Sequence, residues 1–255
     1  MKSAMKLRDR LERQDLTLGI LLTDHISVQI IELAIGGGLD YVIVDMEHLR
    51  HAEPQVADIC AFGRIANFPV LVRPSASTIN DARSAMDLGP CGLLLPTVES
   101  AEHLNRIREA VYMPPRGSRR PGGPGNRWVT EYNYDSFKST VEDHVIIIPQ
   151  VETTSGLENA EEIANHELTT ALGIGPFDLS AQLGVCGEGP QNPLMQKAMQ
   201  HLSAAAESVG KPMWTIGPGD FLVEEGHKFV CFGEAMGLLQ LSLRNNVDRM
   251  RKNAK

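Results

Sequence analysis

Apolar residues in this chain fall into short unbroken runs, and the stretches between them repeat their apolar positions with a period near that of a helix. The runs predict strands at 16–23, 41–47, 69–73, 92–95, 145–152, 171–175, 211–216 and 229–233. Val42-Ile43-Val44 and Val145-Ile146-Ile147-Ile148 are apolar at consecutive rather than alternate positions. Consecutive burial suits strands of a parallel sheet covered on both faces by helices. Helical periodicity with glycine-closed ends predicts helices over 27–35, 55–66, 78–88, 100–111, 153–165, 192–209 and 237–252. Strand and helix alternating eight times predict an α/β fold, a TIM (β/α)8 barrel formed by residues 1–255 as one domain. A doubly wound open sheet is the rival, but no G-x-G-x-x-G follows the first strand. The stretch 113–127 breaks the rhythm with glycines and prolines around a basic cluster and is followed by a helical pattern at 131–141. It reads as a mobile loop over one end of the barrel, or as a solvated insertion.

Composition narrows the partners. With 24 Lys+Arg against 32 Asp+Glu, the formal charge of −8 argues against nucleic acid or an anionic membrane surface and for a small polar substrate. Cys60, Cys91, Cys186 and Cys231 have neither zinc-ligand nor disulfide-framework spacing and read as buried thiols of a reduced cytoplasm. The charged stretch Met1 to Gln14 lacks the apolar core of a signal peptide, so a cytoplasmic location is expected.

In such a barrel the chemistry sits where strands end and βα loops begin. The second strand ends in Asp45-Met46-Glu47-His48, the third in Arg73-Pro74, the fifth in Gln150-Val151-Glu152 and the sixth in Gly175-Pro176-Phe177-Asp178. Glu152 and Asp178 form a hard oxygen pair suited to Mg²⁺ or Mn²⁺, whose open positions a bidentate 2-oxo acid would fill; the bland alternative is an ion pair from one of them to Arg73. Arg73 suits a substrate carboxylate or a developing oxyanion. Gly175-Pro176 sets the backbone N–H groups of Phe177 and Asp178 at a helix start, an anion site. An imidazole is the side chain suited to proton transfer near neutral pH, so His48 is the candidate base, with Asp45 and Glu47 beside it. None of the eight lysines stands at a strand carboxyl end, which disfavours a Schiff base.

The motifs Asp45-Met46-Glu47-His48, Leu71-Val72-Arg73-Pro74, Gly92-Leu93-Leu94-Leu95-Pro96, Pro149-Gln150-Val151-Glu152-Thr153 and Ile174-Gly175-Pro176-Phe177-Asp178-Leu179-Ser180, in this order, resemble the HpcH/HpaI aldolase family of class II pyruvate aldolases. The resemblance implies cleavage of a 4-hydroxy-2-oxo acid to pyruvate and an aldehyde, with Mg²⁺, Mn²⁺ or Co²⁺ held by Glu152 and Asp178. It further implies that His48 is the base, that Arg73 binds the keto oxygen and that Gln150 lies near the metal. Asp87 matches the acid paired with the histidine. Because Asp87 ends a helix that runs toward the amino face, it should not reach His48 of its own barrel. A neighbouring subunit must then supply it, in a homo-oligomer; the resemblance suggests a trimer or hexamer with exchanged C-terminal helices. A CoA-thioester lyase or a 2-oxo acid decarboxylase of the same superfamily, and a non-catalytic ligand-binding homologue, are the alternatives. Departures from the family pattern at Gly19-Ile20-Leu21, Phe177 and Phe232-Gly233-Glu234-Ala235-Met236 ring the acceptor side. A distal substrate carboxylate could engage Arg116, Arg119, Arg120 or Arg127, though a solvated loop accounts for them more simply.

Overall fold

The computed structural model describes residues 1–49, 51–120, 122–123, 126–131 and 133–254. Among them, strands β1 (Thr17–Leu22), β2 (Tyr41–Asp45), β3 (Val70–Arg73), β4 (Gly92–Leu95), β5 (Ile146–Val151), β6 (Leu172–Ile174), β7 (Met213–Ile216) and β8 (Phe229–Glu234) close into a parallel barrel in chain order. The closing pair sets Thr17 beside Phe229, and β2 lies against β3 with Asp45 opposite Arg73. β2 to β6 are buried at every position, as their unbroken apolar runs require.

The barrel is wrapped by α2 (Gln29–Gly36), α3 (Glu53–Ile65), α4 (Ile79–Asp87), α5 (Ala101–Val111), α7 (Thr154–Glu158), α8 (Ala160–Asn165), α9 (Pro176–Gln182), α10 (Pro193–Ser208), α11 (Gly219–Glu224) and α12 (Ala235–Asn253), with a short α6 (Tyr134–Phe137) running into a π-helical turn at Lys138–Glu142. Thr78 and Ser100 start α4 and α5 by accepting the N–H groups of Asp81 and His103 on their side chains. The expected helix over 153–165 is instead two: the backbone leaves the helical region at Asn159, which binds Glu99 O through its side chain.

The N-terminal segment forms a helix that the sequence reading did not assign. In α1 (Lys2–Glu12), Ala4, Leu7 and Leu11 share one face and are buried. Arg8 donates to His144 O at 2.9 Å and to Val145 O at 2.7 Å, tying α1 to the chain just before β5, at the amino end of the barrel.

The 113–127 stretch follows α5 and therefore lies at that amino end. Its described part is solvated in places, with Pro114, Pro115, Ser118, Gly122 and Gly123 exposed, and anchored in others. Arg119 is 1% exposed, Asn126 is buried, and Arg116 is held by Glu142 and Glu167 at 3.1 Å each while its guanidinium lies over the Tyr112 ring. Burial won here because carboxylates and carbonyls from α4, α5 and the 142–167 region converge on the arginines. Arg120 and Arg127 are exposed; Pro121, Pro124 and Gly125 lie outside the described residues. Cys60, Cys91 and Cys231 are buried free thiols, whereas Cys186 is exposed in the loop after α9, contrary to its expected burial. Among the described residues no helix is long and apolar enough to cross a membrane.

Candidate active site

The carboxyl ends of β2 and β3 meet in an ion pair. Arg73 Nε and Nη2 donate to the two oxygens of Asp45 at 2.8 and 2.7 Å, a bidentate fork with both side chains buried. Thr23, just past β1, and the backbone N–H of Glu47 also donate to Asp45. Burial pushes the Asp45 carboxyl up, but the hydrogen bonds and charge of Arg73, with the Glu47 N–H, outweigh it and leave Asp45 below the ordinary carboxylate range. Asp45 is thus turned to Arg73 rather than to His48, and it fixes the guanidinium. The Arg73 Nη1 group lies 3.2 Å from Glu47 Oε2. The partners of Arg73 are therefore the β2 carboxylates, in place of the ion pair to Glu152 or Asp178 that the sequence left open.

Two strands further round, Glu152 follows β5 and is 4% exposed. Its Oε1 accepts from both the backbone N–H and the hydroxyl of Thr97, at 2.6 and 2.7 Å. Burial raises Glu152 above the usual carboxylate range; the Thr97 bonds and Arg73 act against the rise, and Asp178 adds to it. Thr97 has φ +49, a conformation rare for a β-branched residue and held here by the carboxylate it serves. Sequence reasoning passed over Thr97, although its place two residues after β4 puts it on the productive rim.

Gly175 explains how Glu152 and Gln150 come so close to the backbone at this corner. A Cβ at that position would collide with Glu152 Oε2 and lie 2.7 Å from Gln150 Nε2. Gln150 is 3% exposed, and its Oε1 takes no hydrogen bond among the described residues. Gly175 also caps α9, whose first internal bond runs from Leu179 N to Gly175 O, so the N–H groups of Phe177 and Asp178 precede the ladder. Pro176 at the first helical position suits that start. Phe177, 70% exposed, and Asp178 face solvent at the rim. His48 is exposed too, within electrostatic reach of Asp45 and Glu47. Burial raises Glu47, Arg73 opposes the rise, and Glu152 adds to it, so the β2 and β5 carboxylates sense each other across the mouth.

Among the described residues no group of three or more His, Cys, Asp or Glu side chains converges into a metal cage. Glu152 and Asp178 are the two carboxylates that sense each other on this part of the rim, with the buried Gln150 close to Glu152 at Gly175. An all-oxygen, under-filled set fits a hard divalent ion that keeps water in its shell. Asp87 lies at the other pole, at the end of α4, bonded to Arg119.

The HpcH/HpaI aldolase/citrate lyase family matches residues 23–216. A hydroxypyruvate/pyruvate aldolase from Chromohalobacter salexigens is 27% identical over 226 residues, covering 86% of this chain and 87% of the relative. A 5-keto-4-deoxy-D-glucarate aldolase from Klebsiella pneumoniae is 28% identical over 238 residues, covering 91% and 90%. The crystal structure of an HpcH/HpaI aldolase from Desulfitobacterium hafniense superposes with a TM-score of 0.87 at 24% identity over 96% of each chain. The family match runs from the first strand's end through the seventh strand, across every rim that carries the polar cluster, and the chain accordingly belongs to the HpcH/HpaI aldolase/citrate lyase family and is a carbon–carbon lyase.

Proposed function

We propose that the protein is a divalent-metal-dependent aldolase that cleaves a 4-hydroxy-2-oxo acid to pyruvate and an aldehyde, and runs the addition in reverse. The observation that carries this reading is the corner of Glu152, Gln150 and Gly175: a buried carboxylate and a buried amide packed against backbone that carries no side chain, on the rim shared with Asp178. Glu152 and Asp178 would hold Mg²⁺, Mn²⁺ or Co²⁺. Bound there, the ion supplies Lewis-acid stabilisation of the negative charge that develops on the 2-oxo oxygen.

The remaining work falls to this chain's own groups. The N–H groups of Phe177 and Asp178 orient the substrate carboxylate. Arg73, locked by Asp45 through Nε and Nη2, would turn Nη1 from Glu47 to the 2-oxo oxygen. His48 takes the proton of the 4-hydroxyl; the O–H electrons become the aldehyde C=O, and the C3–C4 pair moves onto the 2-oxo acid fragment as its enolate. Protonation at C3 then releases pyruvate.

A homo-oligomer completes the site. Asp87 stands at the amino pole of its own barrel, away from the strand end that carries His48. α12 has no buried residue, and Leu239, Leu241, Leu243 and Met250 are each at least half exposed, an apolar surface suited to a second copy in a trimer or hexamer. Release of pyruvate from 4-hydroxy-2-oxopentanoate by the purified protein tests the reaction. Chelator should abolish it and Mg²⁺ or Mn²⁺ should restore it; turnover indifferent to chelator would overturn the reading.

A further inference from the structure

We propose that Arg119 is a positioning residue for the lyase reaction, holding the Asp87 carboxylate in the orientation in which it meets His48 of the partner subunit. The inference rests on the reading above, in which Asp87 serves a neighbour's imidazole. Asp87 is 46% exposed at its side chain, yet its anchor is 1% exposed: Arg119 Nη2 donates to Asp87 Oδ1 at 2.7 Å. Nη1 reaches Ala110 O at a long 3.5 Å, and Nε has no hydrogen-bond partner among the described residues. Asp87 is the acid paired with this guanidinium, and Arg83, one turn back on α4, adds a like charge near it. Burying a guanidinium with its donors incompletely used is a poor way to gain stability. It is an effective way to fix one oxygen of a carboxylate.

The other oxygen is left over: Oδ2 takes no hydrogen bond among the described residues. The backbone at Gly123, at φ +68, passes beside Asp87, with a Cβ built there 3.8–3.9 Å from its carbonyl oxygen, Cβ and Cγ. Arg119 and Gly123 thus hold Asp87 through one carboxylate oxygen and by close packing.

The test measures kcat and KM for pyruvate release from 4-hydroxy-2-oxopentanoate by metal-loaded full-length protein, with assembly checked by light scattering. Asp87→Asn and Arg119→Met should each lower kcat about 10-fold or more with KM nearly unchanged, Arg119→Lys should recover part of the loss, and the double variant should be no slower than Asp87→Asn. An assembled Arg119→Met at wild-type kcat beside an impaired Asp87→Asn, or losses that multiply in the double variant, would overturn the proposal. Full turnover by Asp87→Asn would instead overturn the Asp87 assignment beneath it. Should Arg119→Met not fold, Arg119→Lys carries the same comparison: a kcat loss that disappears in the Asp87→Asn background supports positioning, and one that multiplies contradicts it.

Discussion

The two ends of the barrel use charge in opposite ways. At the amino end, Arg8 and Lys211 are bound to backbone carbonyls, and Arg116 lies between Glu142 and Glu167. At the carboxyl mouth Asp45, Glu47, Glu152 and Asp178 gather about Arg73, which is taken up by Asp45 and Glu47, with His48 beside them among the described residues. The first arrangement closes its charges and stabilises. The second leaves, among the described residues, a negative surplus that a cation can answer, and burial raises Glu152 against the Thr97 bonds and Arg73.

The contrast can be broken at the mouth first. Glu152→Gln keeps the shape and removes the charge; turnover should fall on the order of 10³-fold, the equivalent of the several kcal/mol that a bound ion supplies to a transition state. Steady-state kinetics at saturating Mn²⁺ checks this, and retention of most activity would remove Glu152 from the site. Asp45→Asn should destabilise the fold by about 3–5 kcal/mol in urea unfolding near neutrality, because Arg73 stays buried without its fork partner. Asp45 is held below its ordinary value, so its contribution is complete above the unfolded-state value of about 3.9 and fades as pH falls through the lower folded-state value. The gap between wild type and Asp45→Asn should therefore narrow in strong acid; a constant gap would contradict the assignment.

Thr97→Val removes one of two donors to Glu152 and should weaken Mn²⁺ binding by about 10–100-fold, as changes in supporting hydrogen bonds do. Those bonds hold Glu152 down, so without one the carboxyl rises further, and the acid-side loss of binding should begin at higher pH than in wild type. A pH series of Mn²⁺ titrations reads both effects. The smallest effect belongs to the amino end: Arg108→Ala breaks a half-exposed pair with Glu167 and should shift stability by no more than about 1 kcal/mol with kcat unchanged. A large loss there would end the contrast between the poles.

The barrel was legible because its signal is local. Each strand is covered on both sides, so runs such as Val145-Ile146-Ile147-Ile148 mark it within one or two residues of its observed bounds. α1 was less visible, since Ala4, Leu7 and Leu11 are few among many charges. α11 carries Leu222 as its buried residue and gave no pattern to find. At the mouth, residue types at strand ends named Asp45, His48, Arg73, Gln150, Glu152, Gly175 and Asp178, whereas Thr97 escaped because a threonine after a strand is chemically bland until its carboxylate is in place. The pairing of Arg119 with Asp87 escaped for a related reason, the sequence having offered Arg119 only as one of four arginines for a distal substrate carboxylate. The two lie 32 residues apart, and no local pattern distinguishes a buried arginine from a solvated one.

The most direct measurement is Mn²⁺ binding to chelator-stripped protein, followed by electron paramagnetic resonance, for wild type and the Glu152→Gln/Asp178→Asn variant, with and without oxalate. The account predicts one tight site per chain in wild type, a signal altered by oxalate, and loss of both in the variant. Equal Mn²⁺ binding by the two proteins, or an oxalate response that persists without these carboxylates, would contradict it.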